Sequence, residues 1–461
     1  MRPLEITLLI FVLFGLIRPF LPRTRLFDWL ILATIPINLL HLLLEGYRWQ
    51  MIPAYGLAGV LSVMAIGRPH SNPSSKRGWQ IVGTLLGLIL LLIASALPYL
   101  LPVPQPLPPT GSYAIGTFNI YRIDENRREI YSDAPNAKRE LLIQIWYPAA
   151  VDADDEPAPY LYNPDIFGPA LANFFELPSF MFNHVNLARV TAVADAPLAA
   201  GDEPFPVILF SHGLNGFRGQ NTSSIQELAS HGYVVATVDH TYGNVVSVFP
   251  DGRSIYRSDD LFSEEGDPPH TANQLVRVWA QDLAFVLDEV TQMNDAGEVF
   301  DGRLDLSHVG VFGHSTGGGA TVEFCVRDGR CTAGLGLDSW LLPVSESIGD
   351  KPPSQPFMFI SSPLWIGEEN AALGQQIFQN LPHSGYTLAI AGAEHFDFTD
   401  LPLFSPLTHQ LGLTGTIDGE LMTEILNRYT LAFFDKTLRG QDDVILTDSL
   451  YDEVTLVGNG R

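Results

Sequence analysis

Long apolar runs dominate the N-terminal quarter of the chain. They occupy residues 6–17, 26–44, 51–66 and 79–102. A helix that spans a bilayer needs about 20 apolar residues, and the second and fourth runs meet that length. The first reaches it only by including Arg18, which is tolerated where the side chain can extend from a helix end to the interface. The third is short and contains Pro53, so the pattern predicts a bundle of three to four transmembrane helices over residues 1–102.

The basic residues between these runs predict which side of the membrane the rest of the chain occupies, because loops rich in Lys and Arg stay in the cytoplasm. With four spans, Arg2 and Arg48 share the side of the C-terminal region. Five basic residues lie on the opposite side: Arg23, Arg25, Arg68, Lys76 and Arg77. If the third run does not span, the division is again five to two. Either count predicts a multi-pass cell-membrane protein whose C-terminal region is extracytoplasmic.

Beyond the membrane runs, the hydrophobic pattern changes its period. Residues 103–110 are rich in proline, which predicts a stiff linker. From 111 to 461, short apolar runs alternate with amphipathic helices. The predicted strands are 139–147, 206–211, 233–238, 308–312, 333–337, 356–361 and 386–391, and the predicted helices are 222–231, 271–292 and about 417–437. The alternation predicts an α/β fold with a mostly parallel sheet and helices on both faces.

One segment, residues 159–187, departs from this rhythm because it is dense in aromatic side chains. These are Phe167, Phe174, Phe175, Phe180 and Phe182. One interpretation is a cap that packs on the domain. The other is an acyl-pocket wall, or a surface that enters lipid.

Composition and charge narrow the function classes. The 461 residues carry a net charge of −25, of which residues 1–103 contribute +5, leaving −30 for the remainder. So acidic a region repels nucleic acid, and we expect no nucleic-acid partner. The two cysteines, Cys325 and Cys331, exclude a disulfide framework and offer no metal-ligand spacing. They are either half-buried thiols or a local bridge that closes a helix end.

The chemistry centres on the motif Gly313-His314-Ser315-Thr316-Gly317, which lies between the predicted strand 308–312 and a helix. A sharp turn between a strand and a helix holds a serine hydroxyl clear of the sheet, at the positive end of the helix dipole. The turn is so tight that the residues two before and two after the serine must lack side chains. Ser315 is therefore the predicted catalytic nucleophile.

A serine nucleophile needs a histidine base, which follows it in the chain in this arrangement. His395 follows the predicted strand 386–391 directly, at the strand end where active-site groups gather in parallel sheets. His383 precedes that strand and His409 lies in a long polar loop. We therefore predict His395 as the catalytic base.

The third member of the site is a carboxylate that orients the histidine. Asp338 follows the strand 333–337 and is the predicted acid. Glu368 and Glu369, after the next strand, are the alternatives, and Asp397 is expected to act locally in the histidine loop.

An oxyanion hole needs two backbone donors. The N–H of Thr316, directly after the serine, is one. The loop Ser211-His212-Gly213-Leu214-Asn215-Gly216 follows an apolar strand, and its small residues favour Leu214 as the second donor. His212 precedes the serine in the chain and is interpreted as a residue that organises this loop.

Taken together, these blocks resemble the plasma-type platelet-activating-factor acetylhydrolase family, phospholipase A2-like α/β-hydrolases, with this chain similar to a bacterial membrane-anchored relative. The resemblance rests on Phe210-Ser-His-Gly-Leu214, Glu227 through Ala236, Asp239-His240, Gly313 through Gly318, Gly336-Leu-Asp338-Ser-Trp340 and His395-Phe-Asp-Phe398. It implies the α/β-hydrolase fold and hydrolysis of short or oxidised sn-2 acyl esters of phospholipids without calcium. It also implies Asp338 as the acid, and Leu214 and Thr316 as oxyanion donors.

The sequence therefore predicts a serine ester hydrolase anchored in the membrane, with no cofactor, no metal and no obligate protein partner. Its predicted substrate is a phospholipid-like ester. A general carboxylesterase, similar to dienelactone or polyester hydrolases, is the alternative. A catalytically inactive binding domain at the membrane surface is the alternative from another class, but such domains usually lose the serine or the histidine.

Overall fold

The computed structural model describes the whole chain except residues 22–24, 67–76, 260, 262–270, 298, 345–347, 349–350, 364–366 and 461. Two regions follow one another along the chain: a helical region (residues 3–100) and an α/β region (residues 114–458).

The helical region contains helices long and apolar enough to cross a membrane. Its helices are α1 (Pro3–Ile17), α2 (Arg25–Leu32), α3 (Thr34–Leu40), α4 (Ile52–Ile66) and α5 (Arg77–Leu100). A π-helical turn, His41–Glu45, extends α3 so that α2 and α3 together form one long apolar helix. Four stretches qualify by length and composition: Pro3–Phe20, Leu26–Glu45, Trp49–Ile66 and Gly78–Leu100.

The structure thus favours four candidate spans over three. Pro53, which made the third run the weakest prediction, lies in the first turn of α4. An N–H is not needed for helix bonding there, so proline is tolerated. Arg23, Arg68 and Lys76, which contribute to the predicted orientation, lie outside the described residues.

The α/β region is built on one large, mostly parallel sheet. Its strands are β1 (Ala114–Arg128), β2 (Lys138–Ala149), β3 (Pro157–Pro159), β4 (Arg189–Ala194), β5 (Phe205–Ser211), β6 (Val234–Asp239), β9 (Leu304–His314), β10 (Cys331–Leu337), β11 (Phe357–Ser361), β12 (Gly385–Ile390) and β13 (Val454–Gly458). In the sheet they are ordered β13-β12-β11-β10-β9-β5-β6-β2-β1-β4-β3. The six strands from β12 to β6 run parallel to their neighbours. A separate hairpin pairs β7 (Val246–Val248) with β8 (Ser254–Tyr256).

Helices cover both faces of the sheet, as predicted. They are α6 (Pro164–Phe174), α7 (Thr222–Ser230), α8 (Ala272–Asp295), α9 (Thr316–Arg327), α10 (Gly367–Asn380) and α11 (Gly419–Arg439). Residues of α6, α7 and α11 form one buried apolar cluster with the sheet, and residues of α8, α9 and α10 form the other. Single 3-10 turns lie at Arg18–Phe20, Trp49–Met51, Asn183–Leu187, Leu342–Val344, His395–Phe398, Leu401–Phe404 and Val444–Leu446.

Several elements were not expected from the sequence. The longest strand, Ala114–Arg128, pairs antiparallel with β2. Its second half reads IDENRR, and this charge density hid the strand in the hydrophobic pattern. The edge strands β3 and β13, and β4 beside β3, are short, so they carry too few alternating positions to stand out.

The two cysteines form a disulfide, Cys325–Cys331, with Cα atoms 5.1 Å apart. The bridge joins the last turn of α9 to the start of β10. Of the two readings, the local bridge that closes a helix end is therefore the one the structure contains, and the half-buried thiols were the wrong alternative.

Candidate active site

Ser315 lies on a sharp turn between β9 and α9, with backbone angles φ 56° and ψ −119°. A residue other than glycine rarely adopts a positive φ, so this conformation is strained and persists only because the surroundings impose it. A Cβ atom on Gly313 would lie 2.3 Å from the Gly317 carbonyl oxygen, and one on Gly317 would lie 2.1 Å from the Ser211 carbonyl oxygen. The close approach of three backbone segments explains why both flanking positions are glycine.

The structure brings His395 and Asp338 together although 57 residues separate them. The His395 Nδ1 atom lies 2.7 Å from Asp338 Oδ2. The other carboxylate oxygen, Oδ1, accepts hydrogen bonds from the backbone N–H (2.8 Å) and hydroxyl (2.9 Å) of Ser362. Because a carboxylate only accepts, Nδ1 carries the proton of the neutral imidazole, and Nε2 is the nitrogen whose lone pair can accept a proton.

Burial shifts the pKa values of both Asp338 and His395. It raises the pKa of Asp338, an effect that the two hydrogen bonds from Ser362 oppose. Burial also lowers the pKa of His395. The imidazole is therefore neutral near pH 7, the state in which it can accept a proton.

Ser315 and His395 line one cavity of about 310 Å³. Its wall is mostly apolar, with side chains from Phe174, Leu214, Trp340 and Phe396 among the lining residues. A mostly apolar cavity with a few convergent polar groups is the usual form of a small-molecule site.

Leu214 and Thr316 line the same cavity. Within the described part of the chain, no group accepts a hydrogen bond from the backbone N–H of either residue. Thr316 is the first residue of α9, where the helix itself provides no acceptor. An oxyanion hole requires two such donors, and both residues line the cavity that contains Ser315.

His212 fixes the peptide plane that carries the Leu214 N–H. The backbone N–H of His240 donates to His212 Nε2 (3.1 Å), so that nitrogen is unprotonated. His212 Nδ1 therefore carries the proton and donates to the Gly213 carbonyl oxygen (2.7 Å), which also accepts from the Gly216 N–H (2.8 Å). In a trans peptide the carbonyl oxygen and the following N–H point in opposite directions. Two bonds to the Gly213 oxygen thus orient the Leu214 N–H, which agrees with the loop-organising role expected of His212.

Two further residues were missed by sequence reasoning. The side-chain amide of Gln220 donates to His314 Nδ1 (2.9 Å), while its oxygen accepts from the Gly213 N–H (3.3 Å). His314 Nε2 therefore carries the proton and donates to the His395 carbonyl oxygen (3.1 Å), and the two imidazole rings lie 4.5 Å apart. His314 was visible only as the variable position of the serine motif, and no local pattern marks Gln220.

The rejected alternatives lie elsewhere. Glu368 and Glu369 are exposed in the first turn of α10. His383 is exposed, and His409 bonds through Nδ1 to the Thr414 carbonyl oxygen at 3.1 Å. Asp397 accepts from the Glu394 N–H at 2.8 Å, within the histidine loop as expected. It also accepts from the Gly415 N–H at 2.6 Å, 18 positions later, so its role is not confined to that loop.

Each of the two interpretations of the aromatic segment 159–187 describes a part of it. Phe167 is buried and packs against Phe217 of the α/β region, with ring centroids 4.8 Å apart. Phe174, at the end of α6, reaches the cavity that contains Ser315. The part of the segment around Phe167 is therefore a packed cap, and Phe174 forms part of the wall of the candidate site.

The described residues contain one cluster with the ligand types and spacing for a cation. Donor atoms of Glu5, His41 and Glu45 lie within 4.8 Å of one another in the helical region. Arg2 and Arg48 bind the Glu5 carboxylate in that cluster. Since two guanidinium groups already neutralise the site, it does not suit a cation.

Comparisons with known proteins bear on the α/β region. A family model described as platelet-activating factor acetylhydrolase, isoform II, matches residues 108–248 and 284–455, which include Ser315, Asp338 and His395. A platelet-activating factor acetylhydrolase from Cavia porcellus is 29% identical over 322 residues, covering 64% of this chain and 72% of the relative.

Two more distant relatives carry esterase names. A probable 1-alkyl-2-acetylglycerophosphocholine esterase from Arthroderma benhamiae is 25% identical over 413 residues, covering 82% of this chain and 99% of the relative. Among solved structures, a ferulic acid esterase from Streptomyces cinnamoneus is similar with a TM-score of 0.63 at 27% identity, covering 77% of this chain and 99% of that one.

Proposed function

Since this chain belongs to the family of platelet-activating factor acetylhydrolase, isoform II, and is a hydrolase of ester bonds, we propose that Ser315 is its nucleophile. The proposed substrates are phospholipid-like esters that carry short or oxidised acyl chains. The observation that carries the proposal is one cavity lined by Ser315, on a strained turn, and by His395, whose Nδ1 is held by Asp338.

In the proposed reaction, Ser315 Oγ attacks the ester carbonyl carbon while His395 Nε2 takes the hydroxyl proton. The carbonyl oxygen becomes an oxyanion that the N–H groups of Leu214 and Thr316 stabilise. The imidazolium then protonates the departing alcohol, which leaves an acyl-enzyme. Water, deprotonated by His395, attacks the acyl-enzyme and releases the carboxylic acid, restoring Ser315. Asp338 remains ionised and stabilises the imidazolium.

Replacing Ser315 tests the mechanism directly. The Ser315→Ala variant is expected to lose about 10⁴-fold or more in kcat on p-nitrophenyl acetate, because no other group can form the acyl-enzyme. It should also fail to react with a fluorophosphonate probe. Ser307→Ala, at an exposed serine, is the matched control and should keep both properties. Unchanged turnover by Ser315→Ala would overturn the proposal.

A general carboxylesterase is the second candidate, favoured by the similarity to a ferulic acid esterase. The two candidates differ in what occupies the leaving-group side of the cavity. Purified enzyme should be compared on acetyl, oxidised and long-chain phosphatidylcholines and on simple aryl and feruloyl esters. A higher kcat/KM for the simple esters would favour the second candidate.

We also propose that the four apolar helices anchor the chain in the cell membrane with the α/β region on the extracytoplasmic side. The Cys325–Cys331 disulfide supports this side, because disulfides persist outside the reducing cytosol. Protease added to intact spheroplasts should digest the α/β region. Digestion only after the membrane is opened would reverse the proposed orientation.

A further inference from the structure

The four candidate spans have one end each at a common level: the first and third begin there, and the second and fourth end there. Arg2, just before the first span, donates hydrogen bonds to the backbone carbonyls of Glu45 and Gly46, at the end of the second. Arg48, just before the third span, donates to the Leu101 carbonyl oxygen at 3.1 Å, directly after the fourth. One membrane interface must therefore lie at this level if the helices cross the bilayer.

A short stretch of the aromatic segment contacts this end of the helical region. We call residues 174–182 (FFELPSFMF) the cap edge. Trp49 lies edge to face against Phe180, with ring centroids 5.2 Å apart, and its indole N–H donates to the Met181 carbonyl oxygen at 3.2 Å. Tryptophan is enriched where a span meets the membrane interface. The contact places the cap edge at the same level as the ends of the spans.

The cap edge presents apolar side chains that the protein itself does not cover. Phe174 is 41% exposed, Leu177 39% and Phe180 46%. Glu176 is the one charged residue of the stretch. An exposed apolar cluster of this kind marks an interaction surface.

The cap edge also reaches the candidate active site. Phe174, its first residue, lines the cavity that contains Ser315 and His395. The rings of Phe174 and Phe175 lie 4.9 Å apart, and those of Phe175 and Phe182 lie 6.0 Å apart, so aromatic contacts run along the stretch. The same nine residues therefore touch both the membrane end of the helices and the serine cavity.

We propose that the cap edge lies in the interfacial layer of the bilayer and admits zwitterionic phospholipids from the surrounding leaflet directly into the serine cavity. This inference rests on the proposed function, because it concerns how substrate reaches Ser315. The lipid is expected to be zwitterionic because the region after residue 103 carries a net charge of −30 and repels anionic head groups. The apolar side chains contact acyl chains, while the ester passes Phe174 toward the cavity.

The test uses the full chain in phosphatidylcholine vesicles and compares two substrates. One is a fluorogenic short-chain phosphatidylcholine in the same bilayer, and the other is p-nitrophenyl acetate in water. The double variant Leu177→Ser/Phe180→Ser should lose roughly tenfold in turnover of the bilayer substrate and keep turnover of the soluble one within about twofold. The control Leu450→Ser/Val457→Ser changes exposed apolar residues in the edge strand β13 and in the turn before it, and should affect neither.

Each outcome decides one proposal. Unchanged bilayer turnover, or an equal fall on both substrates, would overturn the role of the cap edge. Retained soluble turnover in Ser315→Ala would instead overturn the proposed function, so the two failures are distinguishable.

A labelling experiment tests the location of the cap edge without relying on activity. Both native cysteines are joined in the disulfide, so one introduced cysteine can be labelled selectively. An environment-sensitive fluorophore on Phe180→Cys should be quenched by spin-labelled phosphatidylcholine, and the same fluorophore on Leu450→Cys should not. Equal quenching at both positions would contradict the proposal.

Discussion

Two serine–histidine–aspartate groups lie in the α/β region, and their surroundings differ. In the first, His395 binds Asp338 at 2.7 Å beside the cavity that also contains Ser315. In the second, His240 Nδ1 lies 2.8 Å from an aspartate oxygen and its Nε2 lies 2.8 Å from a serine hydroxyl. The partners of this second group are Asp282 and Ser211.

The second group is fully buried. The side chains of His240 and Asp282 have no exposed surface, and Trp279 stacks on the imidazole with centroids 4.2 Å apart. Burial alone would raise the pKa of Asp282, but the guanidinium groups of Arg139 and Arg127 outweigh burial and hold this pKa far below its usual range. An ionised carboxylate shared by so many donors is a structural anchor.

The proposed catalytic group differs from the buried group in its surroundings and not in its residue types. Ser211 ends an extended strand, is fully buried and does not line the cavity that contains Ser315. Ser315 adds a strained turn, a cavity and two unpaired N–H donors to the same chemistry. The two groups are also joined, because the His240 N–H fixes the tautomer of His212, which orients the Leu214 peptide. The His240 group is therefore expected to support the group beside the cavity.

The two groups should differ most in their response to an aspartate-to-asparagine substitution, which removes the negative charge of Asp338 or of Asp282. Asp338→Asn should lower kcat by about 10⁴-fold, because an amide can hold the imidazole in the wrong tautomer. Its unfolding midpoint in detergent micelles should change little. Glu368→Gln/Glu369→Gln is the control and should keep wild-type kcat. Loss of activity in that control, with Asp338→Asn active, would reassign the acid.

In the buried group, replacing the aspartate with asparagine should lower the stability of the folded protein instead of kcat. Asp282→Asn removes the carboxylate that Arg139 and Arg127 share, although Glu129 and Asp124 still pair with them. The loss in the free energy of unfolding is therefore expected to be about 3 kcal/mol, the lower end for a broken buried ion pair. Denaturant unfolding of the purified protein measures this loss. The fraction that remains folded should lose far less activity than Asp338→Asn. A variant that is as stable as wild type but inactive would contradict the distinction between the groups.

The link between the groups can be cut at His212. In His212→Gln, the amide oxygen can still accept from the His240 N–H, but the donor to the Gly213 oxygen is lost. We expect kcat to fall by about 10²–10³-fold with KM nearly unchanged, because the Leu214 N–H is no longer oriented toward the oxyanion. His212→Asn retains a donor near Nδ1 and should recover most of this loss. Equal kcat values for both variants would contradict the positioning role.

Acid should affect the stability of the buried group and the activity of the group beside the cavity differently. Burial lowers the pKa of His212 to about 3 and lowers that of His240, so below pH 6.5 the unfolded chain binds protons that the folded chain does not. The free energy of unfolding should then fall by about 1.4 kcal/mol per pH unit for each histidine. Asp282 adds no loss until roughly pH 4, where its unfolded form begins to bind protons.

Activity of the folded enzyme should follow His395 instead. Because burial lowers the pKa of His395, the acid limb of kcat/KM should have its midpoint below pH 6.5. Stopped assays over pH 4–8, each paired with an unfolding curve at the same pH, distinguish the two effects. A midpoint above pH 6.5 with a pH-independent stability would contradict both expectations.

Much of the fold and of the candidate site could be predicted from the local sequence. The strand–turn–helix pattern around Ser315 and the glycines at 313 and 317 predicted a turn that the structure contains, because steric limits act over a few residues. The position of His395 directly after a strand was equally local. The central strands were visible because burial on both faces of the sheet leaves a continuous apolar run.

Other parts could not be predicted from neighbouring residues. Gln220 and His314 are 94 positions apart, and each has an ordinary local context. The buried His240–Asp282 contact joins a strand end to the middle of a helix, and nothing near either residue specifies the other. Long-range polar contacts are set by how whole elements pack, so the sequence shows the groups but not their pairing.

The chain's sequence by itself determined the apolar helices, the alternation of strands and helices, and the sharp turn at Ser315, since each follows from backbone sterics and hydrophobic period within one element. Only the tertiary structure decided which histidine meets which aspartate, and that Trp49 meets Phe180 across 131 positions. Those contacts depend on the packing of separate elements, and a hydrogen bond or ring contact forms only when packing brings the two groups within a few ångströms.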